Sequence, residues 1–483
     1  MTVLDLPLLE LAILVPLCGA ALVARIRDSS VARLWCLGFC GFAFACTIAE
    51  WQDFNFLHAK IAHDPGPLAR ALDNFLEIDA LSAPLLPVTA LIYLLTAIAT
   101  LRTKIRRFSF AGTLISLALA LAVLTCRNPW GIIALLAART VAPYLELRAR
   151  GKPTRIYVLH MALFIGMLAL GWFFVEMEGR QRVHSLWAVL PLLIAVLIRT
   201  GGIPFHCWIT DLFEHATFGT ALLYLTPMMG AYVAVRLVLP IAPEWVLQSI
   251  ALVSLATAVY AAGMALVQRE ARRFFSYIYL SHASLVLVGL ETLNPIGLTG
   301  ALCVWLSVAL SLSGFGLTLR ALEARHGRLP LSKFHGVYEH TPLLGVCFLL
   351  TGFASVGFPG TFGFLGTELL VDGAVQTYPH IGIAVVIAAA LNGIAVVHAY
   401  FKLFTGTRHV SSVPLQVGLR ERLAVLTLAA LILGGGVFPQ LVVPSRHRAA
   451  EVILSERERL APAAPGPVET AEVGPSVRTN KGN

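Results

Sequence analysis

The stretch RTGGIPFHCWITDLFEHA, residues 199 to 216, sets Arg199, His206, Asp211, Glu214 and His215 between segments apolar enough to sit in lipid. Other ionisable side chains interrupt similar runs: Arg139 and Glu146 in GIIALLAARTVAPYLELRARG, His282 in SHASLVL, Glu368 in LGTELLV and His398 in VVHAYFKLF. An ionisable group surrounded by lipid is costly and its proton affinity is easily shifted, so such groups mark ion paths and proton relays. On that basis Glu146, Arg199, His206, Asp211, Glu214, His282, Glu368 and His398 are the proton-path candidates. Arg199 cannot release its proton and needs an anion, which Asp211 or Glu214 would supply. Each candidate also has a plainer reading. Arg139 and Glu146 are seven residues apart on one helix face and can be a structural pair. His206, Asp211, Glu214 and His215 can satisfy backbone ends near a surface, and His282 can hydrogen-bond between helices.

The elements that position these groups follow from composition. Of 483 residues, 57% are hydrophobic and 13% charged, and the mean hydropathy is +0.78, outside the range of soluble domains. Apolar runs of spanning length recur from Leu6 almost to Val443, giving about 14 membrane helices. The first run lacks a small-residue cleavage site and reads as a retained helix. The formal charge of +9 does not point to nucleic acid. Its basic residues cluster in short connections, around Arg25, Arg106, Arg150, Arg272 and Arg325, in the positive-inside pattern that places the N-terminus outside. A multi-pass protein of the cell's inner (plasma) membrane is expected. Past Thr341 the count of crossings is ambiguous, because residues 359 to 378 fit either a short span or a re-entrant element. The eight cysteines include no CxxC pair or nearby histidine set, which argues against a metal site. No phosphate-binding or dinucleotide-binding glycine loop and no supported Ser/His/Asp arrangement is present. No cofactor is expected in this chain, and redox or hydrolytic chemistry would belong to a partner.

Four motifs in order carry a resemblance. IDALSAPLL from Ile78, GGIPFHCWITDLFEHATFGTALL from Gly201, RRFFSYIYLSHASLVLVGL from Arg272 and FASVGFPGTFGFLGTELLV from Phe353 resemble signature segments of the antiporter-like membrane subunits. This family is shared by respiratory complex I, membrane-bound hydrogenases and multi-subunit cation/proton antiporters, and the second and third motifs are most similar to the complex I M-type subunit. The resemblance implies an all-α polytopic bundle with two inverted repeats of five helices, each holding an interrupted helix. Pro227 is the candidate break in the first repeat, since a mid-helix proline removes a backbone bond. Asn392 and Gly393 are the candidates in the second. The implied organisation is residues 1–74 as N-terminal helices with an outer loop, 75–445 as the antiporter-like domain and 446–483 as a disordered tail.

The family passes charge along a row of titratable residues, and this chain departs from it. The glutamate expected five residues before Pro143 is Ala138, next to Arg139. The lysine ahead of the PFH motif is Arg199, the broken-helix lysine four residues before Tyr232 is Met228, and the bridging histidine is Val308. The chain's six lysines, at 60, 104, 152, 333, 402 and 481, avoid every helix centre. The resemblance therefore implies a non-catalytic membrane subunit of an NADH:quinone-oxidoreductase-like or hydrogenase-like complex, with a degenerate relay and with other membrane and soluble subunits as partners. The alternatives are a structural anchor without ion conduction, or the membrane subunit of a DAB-type inorganic-carbon uptake system working with a soluble zinc-binding partner.

Overall fold

The computed structural model describes residues 7–57, 76–101, 108–179, 184–289, 292–377, 379–407 and 417–460. Within them the chain is helical: α1 (Leu8–Val23), α2 (Ser29–Leu57), α3 (Leu85–Ile98), α4 (Phe110–Thr125), α5 (Pro129–Ala149), α6 (Arg155–Glu178), α7 (Leu186–Thr200), α8 (Cys207–His215), α9 (Phe218–Leu225), α10 (Met229–Val233), α11 (Glu244–Leu266), α12 (Ala271–Val288), α13 (Pro295–His326), α14 (Pro342–Val356), α15 (Phe362–Thr377), α16 (Pro379–Phe404), α17 (Leu419–Val437) and α18 (Val443–Leu460). Short polar residues start several of them by accepting an otherwise orphaned N–H. Ser109 accepts from Gly112, Asn128 from Gly131, Thr217 from Thr220 and Asn294 from Gly297. Pro129 and Pro295 follow their caps at the first helical position, where a missing N–H costs nothing.

Three crossings are interrupted. α7 ends on Gly201 (φ +78°), and α8 resumes at Cys207. α14 ends in the same way on Gly357 (φ +86°), before α15 resumes at Phe362. Glycine is favoured at both positions because the left-handed conformation carries no Cβ penalty there. The third gap separates α9 from α10 and is followed by a π-helical turn over Ala234–Val238. With each interrupted pair counted as one crossing and the polar α18 left out, the described residues make the ~14 passes expected from span length. The ambiguity past Thr341 resolves, since α14 and α15 are two halves of one pass. Residues 110–238 and 244–404 then present the same five-pass order from opposite ends of the bundle, each with its fourth pass broken at a left-handed glycine.

One expected break is absent. Asn392 and Gly393 lie inside α16, which runs uninterrupted from Pro379 to Phe404. The Asn392 amide donates across to Ser281 Oγ (2.8 Å) and does not compete with its own helix ladder, so the helix continues.

The basic end of the bundle is fastened by arginines acting on carbonyls and carboxylates. Arg272 pairs with both Glu323 oxygens (2.6 and 2.7 Å) and donates to the carbonyls of Phe213 and Ala216 at the end of α8. Arg320 donates to Thr96 O and Thr100 Oγ1 at the end of α3, and Arg325 pairs with Glu421. Cations at helix C-termini are favoured by the orphan carbonyls and the helix dipole. At the opposite end Asp79 caps the turn into α3 through Ser82 N (2.8 Å) and pairs with Arg236 (2.5 Å).

The segment from residue 446 is not the disordered tail expected of it. α18 occupies Val443–Leu460, and residues 461–483 lie outside the described residues. Its order comes from two arginines. Buried Arg446 donates to the carbonyls of Ala80 and Leu81, and Arg457 to those of Leu239 and Ala242. At the centre of the second half, α13 packs against α15 at glycine-mediated close approach. A Cβ on Gly300 would meet Leu370 N at 2.2 Å, and one on Gly373 would meet Gly297 Cα at 2.3 Å.

Candidate functional site

The interrupted passes gather polar groups along the middle of the bundle. Pro227 stands in the gap between α9 and α10, and Met228 there adopts φ +51°. Pro227 offers no N–H to the carbonyl four residues earlier, that of Leu223. Tyr93 OH donates to that carbonyl instead (3.1 Å). The next carbonyl, of Tyr224, loses its usual donor because Met228 N turns to Leu225 O, and Arg199 Nη2 takes its place at 3.5 Å. Tyr279 OH donates to Leu225 O at 2.7 Å. One interruption thus draws Tyr93, Arg199 and Tyr279 from three other helices to a single point.

Arg199 is 4% exposed, and its guanidinium lies over aromatic faces: Tyr224 at 4.4 Å, Trp208 at 5.3 Å and Phe164 at 6.0 Å. The carboxylates expected to neutralise it do not reach it. α8 carries Asp211 and Glu214 away from the break toward the basic end, where Asp211 meets His215 (3.1 Å) and Glu214 meets Arg273 (3.4 Å). His206 stands at the start of α8 at the break, half-buried, with its ring edge-on to Tyr260 at 5.4 Å and no capping hydrogen bond from its side chain among the described residues.

Arg139 reaches the same cluster from α5. Ala138, at the position where the family places its glutamate, faces outward, whereas Arg139 is 2% exposed and lies 5.8 Å from the Tyr224 ring. Among the described residues no acceptor lies within hydrogen-bond distance of Nε, Nη1 or Nη2 of Arg139, although the Tyr93 hydroxyl is close by. Glu146 is not its partner. Two turns along α5, it accepts from Thr217 N (2.6 Å) and Thr220 Oγ1 and pairs with Arg150 (3.4 Å), where it braces the start of α9. Beside this brace the basic end holds a cavity of about 140 Å³ lined by Arg150, Thr217, Phe218, Arg272, Arg320 and Glu323.

In the second half the line continues through groups without a fixed charge. His282 Nε2 lies 3.2 Å from Ser355 Oγ at the end of α14. Ser281 receives the Asn392 amide, and the buried hydroxyls of Ser307 and Ser311 on α13 have no partner among the described residues. Met228 and Val308 are buried apolar side chains. Glu368 and His398 do not belong to this interior: both are exposed on the flank of the bundle, Glu368 one turn from exposed Asp372 on α15. Sequence reasoning missed Tyr93, Tyr224 and Tyr279, which meet at this break and of which Tyr279 joins the second half to the first. Their sign was the proline four residues after Leu223. Among the described residues no three of His, Cys, Asp and Glu converge as a metal site would require.

A bundle with paired five-pass halves, broken fourth passes and a polar line between them defines the antiporter-like class of membrane subunit. Residues 157–392 match the family described as NADH:quinone oxidoreductase/Mrp antiporter, TM. NADH-quinone oxidoreductase subunit M of Rickettsia prowazekii is 26% identical over 276 residues, 56% of this chain and 55% of that protein, so this match spans about half of the relative. NAD(P)H-quinone oxidoreductase chain 4 1 of Synechococcus elongatus is 27% identical over 484 residues, 91% of this chain and 90% of that one. A chain from a structure of respiratory complex I from Thermus thermophilus with bound NADH superposes with a TM-score of 0.80 at 21% identity, over 93% of this chain and 99% of that chain. The likeness inferred from four short motifs therefore extends over most of the sequence and the whole fold.

Proposed function

We propose that this chain is a membrane subunit of a multi-subunit assembly of the NADH:quinone-oxidoreductase or Mrp-antiporter kind, in which electron transfer, where it occurs, resides in other subunits. The observation that carries the reading is the flank formed by α15 and α16. Glu368, Asp372 and His398 are exposed there, and a carboxylate facing lipid deep in a span costs about 2.5–3.5 kcal/mol. A neighbouring protein that covers this flank and pairs with the two carboxylates removes that cost. The names of the relatives agree with such an assembly.

Within the assembly the polar line does not work by the family's glutamate and lysine row. Arg139 and Arg199 keep fixed charges, because guanidinium does not deprotonate in proteins. Movement of charge between the halves would pass through Tyr279, His282 and the serine hydroxyls, with His282 the group able to take up and release a proton.

Affinity purification of the tagged chain from its own membranes in mild detergent, followed by mass spectrometry, tests the proposal. Co-purifying membrane subunits, accompanied by iron-sulfur, flavin or hydrogenase subunits, are the expected result, and Glu368→Lys should lower their yield while the chain itself stays folded. A chain recovered alone at every detergent strength would sink the reading. A lone soluble zinc protein in the same eluate would sink it also and place the chain in carbon uptake.

A further inference from the structure

We infer that Arg139 and Arg199 hold a small inorganic anion, of chloride size, in the middle of the first five-pass half. Both guanidiniums are buried, at 2% and 4% exposure, and both face the Tyr224 ring, so their central carbons are no more than about 10 Å apart. The five N–H donors of each are poorly used. Among the described residues Arg139 has no acceptor within hydrogen-bond distance of its three nitrogens, the Tyr93 hydroxyl being close but a neutral group, and Arg199 makes one long bond to the Tyr224 carbonyl. A third donor is close. The Tyr224 hydroxyl points at Met161 Sδ (3.2 Å), a weak acceptor that an anion would outcompete.

The charge balance requires such an occupant. An unpaired buried ion costs several kcal/mol, and two of like sign in one cluster add repulsion. Cation–π contacts return about 0.5–2 kcal/mol each and supply no acceptor for the N–H groups. Among the described residues the carboxylates of the neighbourhood are committed elsewhere: Glu146 to Thr217, Thr220 and Arg150, Asp211 to His215 and Glu214 to Arg273. A partner's side chain does not reach a cluster this enclosed, whereas a small ion does. The inference stands on these residues alone and is independent of which assembly the chain joins.

The test uses the full-length chain in detergent, exchanged into gluconate, a large organic anion, and titrated with sodium chloride or bromide at constant ionic strength. Thermal unfolding is followed by tryptophan fluorescence. Saturable stabilisation by chloride and bromide is expected for the native chain. Arg139→Gln should raise the half-saturating concentration ~10-fold or more, the value of a hydrogen bond to a charged group. Arg139→Leu serves as the variant that does not depend on a fragile fold. It removes the unpaired charge, so in gluconate it should melt above the native chain, with the halide response gone. A native chain whose melting is indifferent to halide, or an Arg139→Leu chain that retains the full halide response, would overturn the inference.

Discussion

The Asp79–Arg236 pair gives the sharpest test of how the turn before α3 is joined to the end of the first half. Its side chains are 16% and 13% exposed and their atoms approach to 2.5 Å, while Arg236 Nε also donates to the Tyr232 hydroxyl at 3.2 Å. Asp79→Ala removes the partner of a largely buried guanidinium, which costs about 3–5 kcal/mol. It also removes the cap on Ser82 N, worth about 1 kcal/mol. Asp79→Asn keeps an acceptor for that cap, so its loss should be the ionic part alone. The double variant Asp79→Leu/Arg236→Met carries no unpaired charge, and replacing a buried pair by apolar residues of like volume is often near neutral. It should therefore recover most of the loss and leave a deficit of about 1–2 kcal/mol from the cap and the tyrosine bond. The assay is thermal unfolding of the three variants in one detergent. If the double variant is no more stable than Asp79→Ala, the cost does not come from the stranded charge, and the reasoning fails.

Two further outcomes follow from packing and capping. Gly300→Val should fail to form the α13–α15 contact, because its Cβ would meet the backbone of Leu369 and Leu370 rather than a movable side chain; the expected loss exceeds the 1–3 kcal/mol of ordinary overpacking, and an unchanged melting temperature would contradict it. Glu146→Gln should lower stability by about 1–2 kcal/mol through the brace on Thr217 and Thr220, yet leave any proton flux in reconstituted vesicles unchanged, and a selective loss of flux would return Glu146 to the proton path.

Much of this was legible in the residues. Apolar run length, basic connections and four motifs led to the architecture, since spans and their charged flanks obey one-dimensional rules. The facing of single residues was less legible. Ala138 and Arg139 differ by one position, about 100° around a helix, and that rotation decides which of them enters the interior. Glu368 and His398 were read as interior groups because a charge in a span was assumed to seek the bundle. α15 is apolar around much of its circumference and gives no stripe by which to orient it. The breaks were sought at Pro227 and at Asn392–Gly393, whereas the pair that matches between the halves follows GGIP and GFPG. A glycine cap with a proline just beyond is the stop signal both share. The order of α18 was hidden because its composition is that of a flexible segment, and its stability comes from carbonyls more than 200 residues away in sequence.

That last contact bears on how the molecule is made. α18 follows every crossing in chain order, yet its arginines hold the turn before α3 and the link between the two five-pass halves, Ala80 and Leu81 on one side and Leu239 and Ala242 on the other. During synthesis the crossings are all laid into the membrane before this buckle exists. A nascent chain halted short of Arg446 holds its halves together by packing and by ties such as Tyr279 to Leu225 O and Arg272 to Phe213 O, and α18 adds the fastening at the opposite end. The two halves and the turn before α3 are thus fastened by a segment that lies after all of them in the chain, so loss of α18 removes a tie that no crossing supplies for itself.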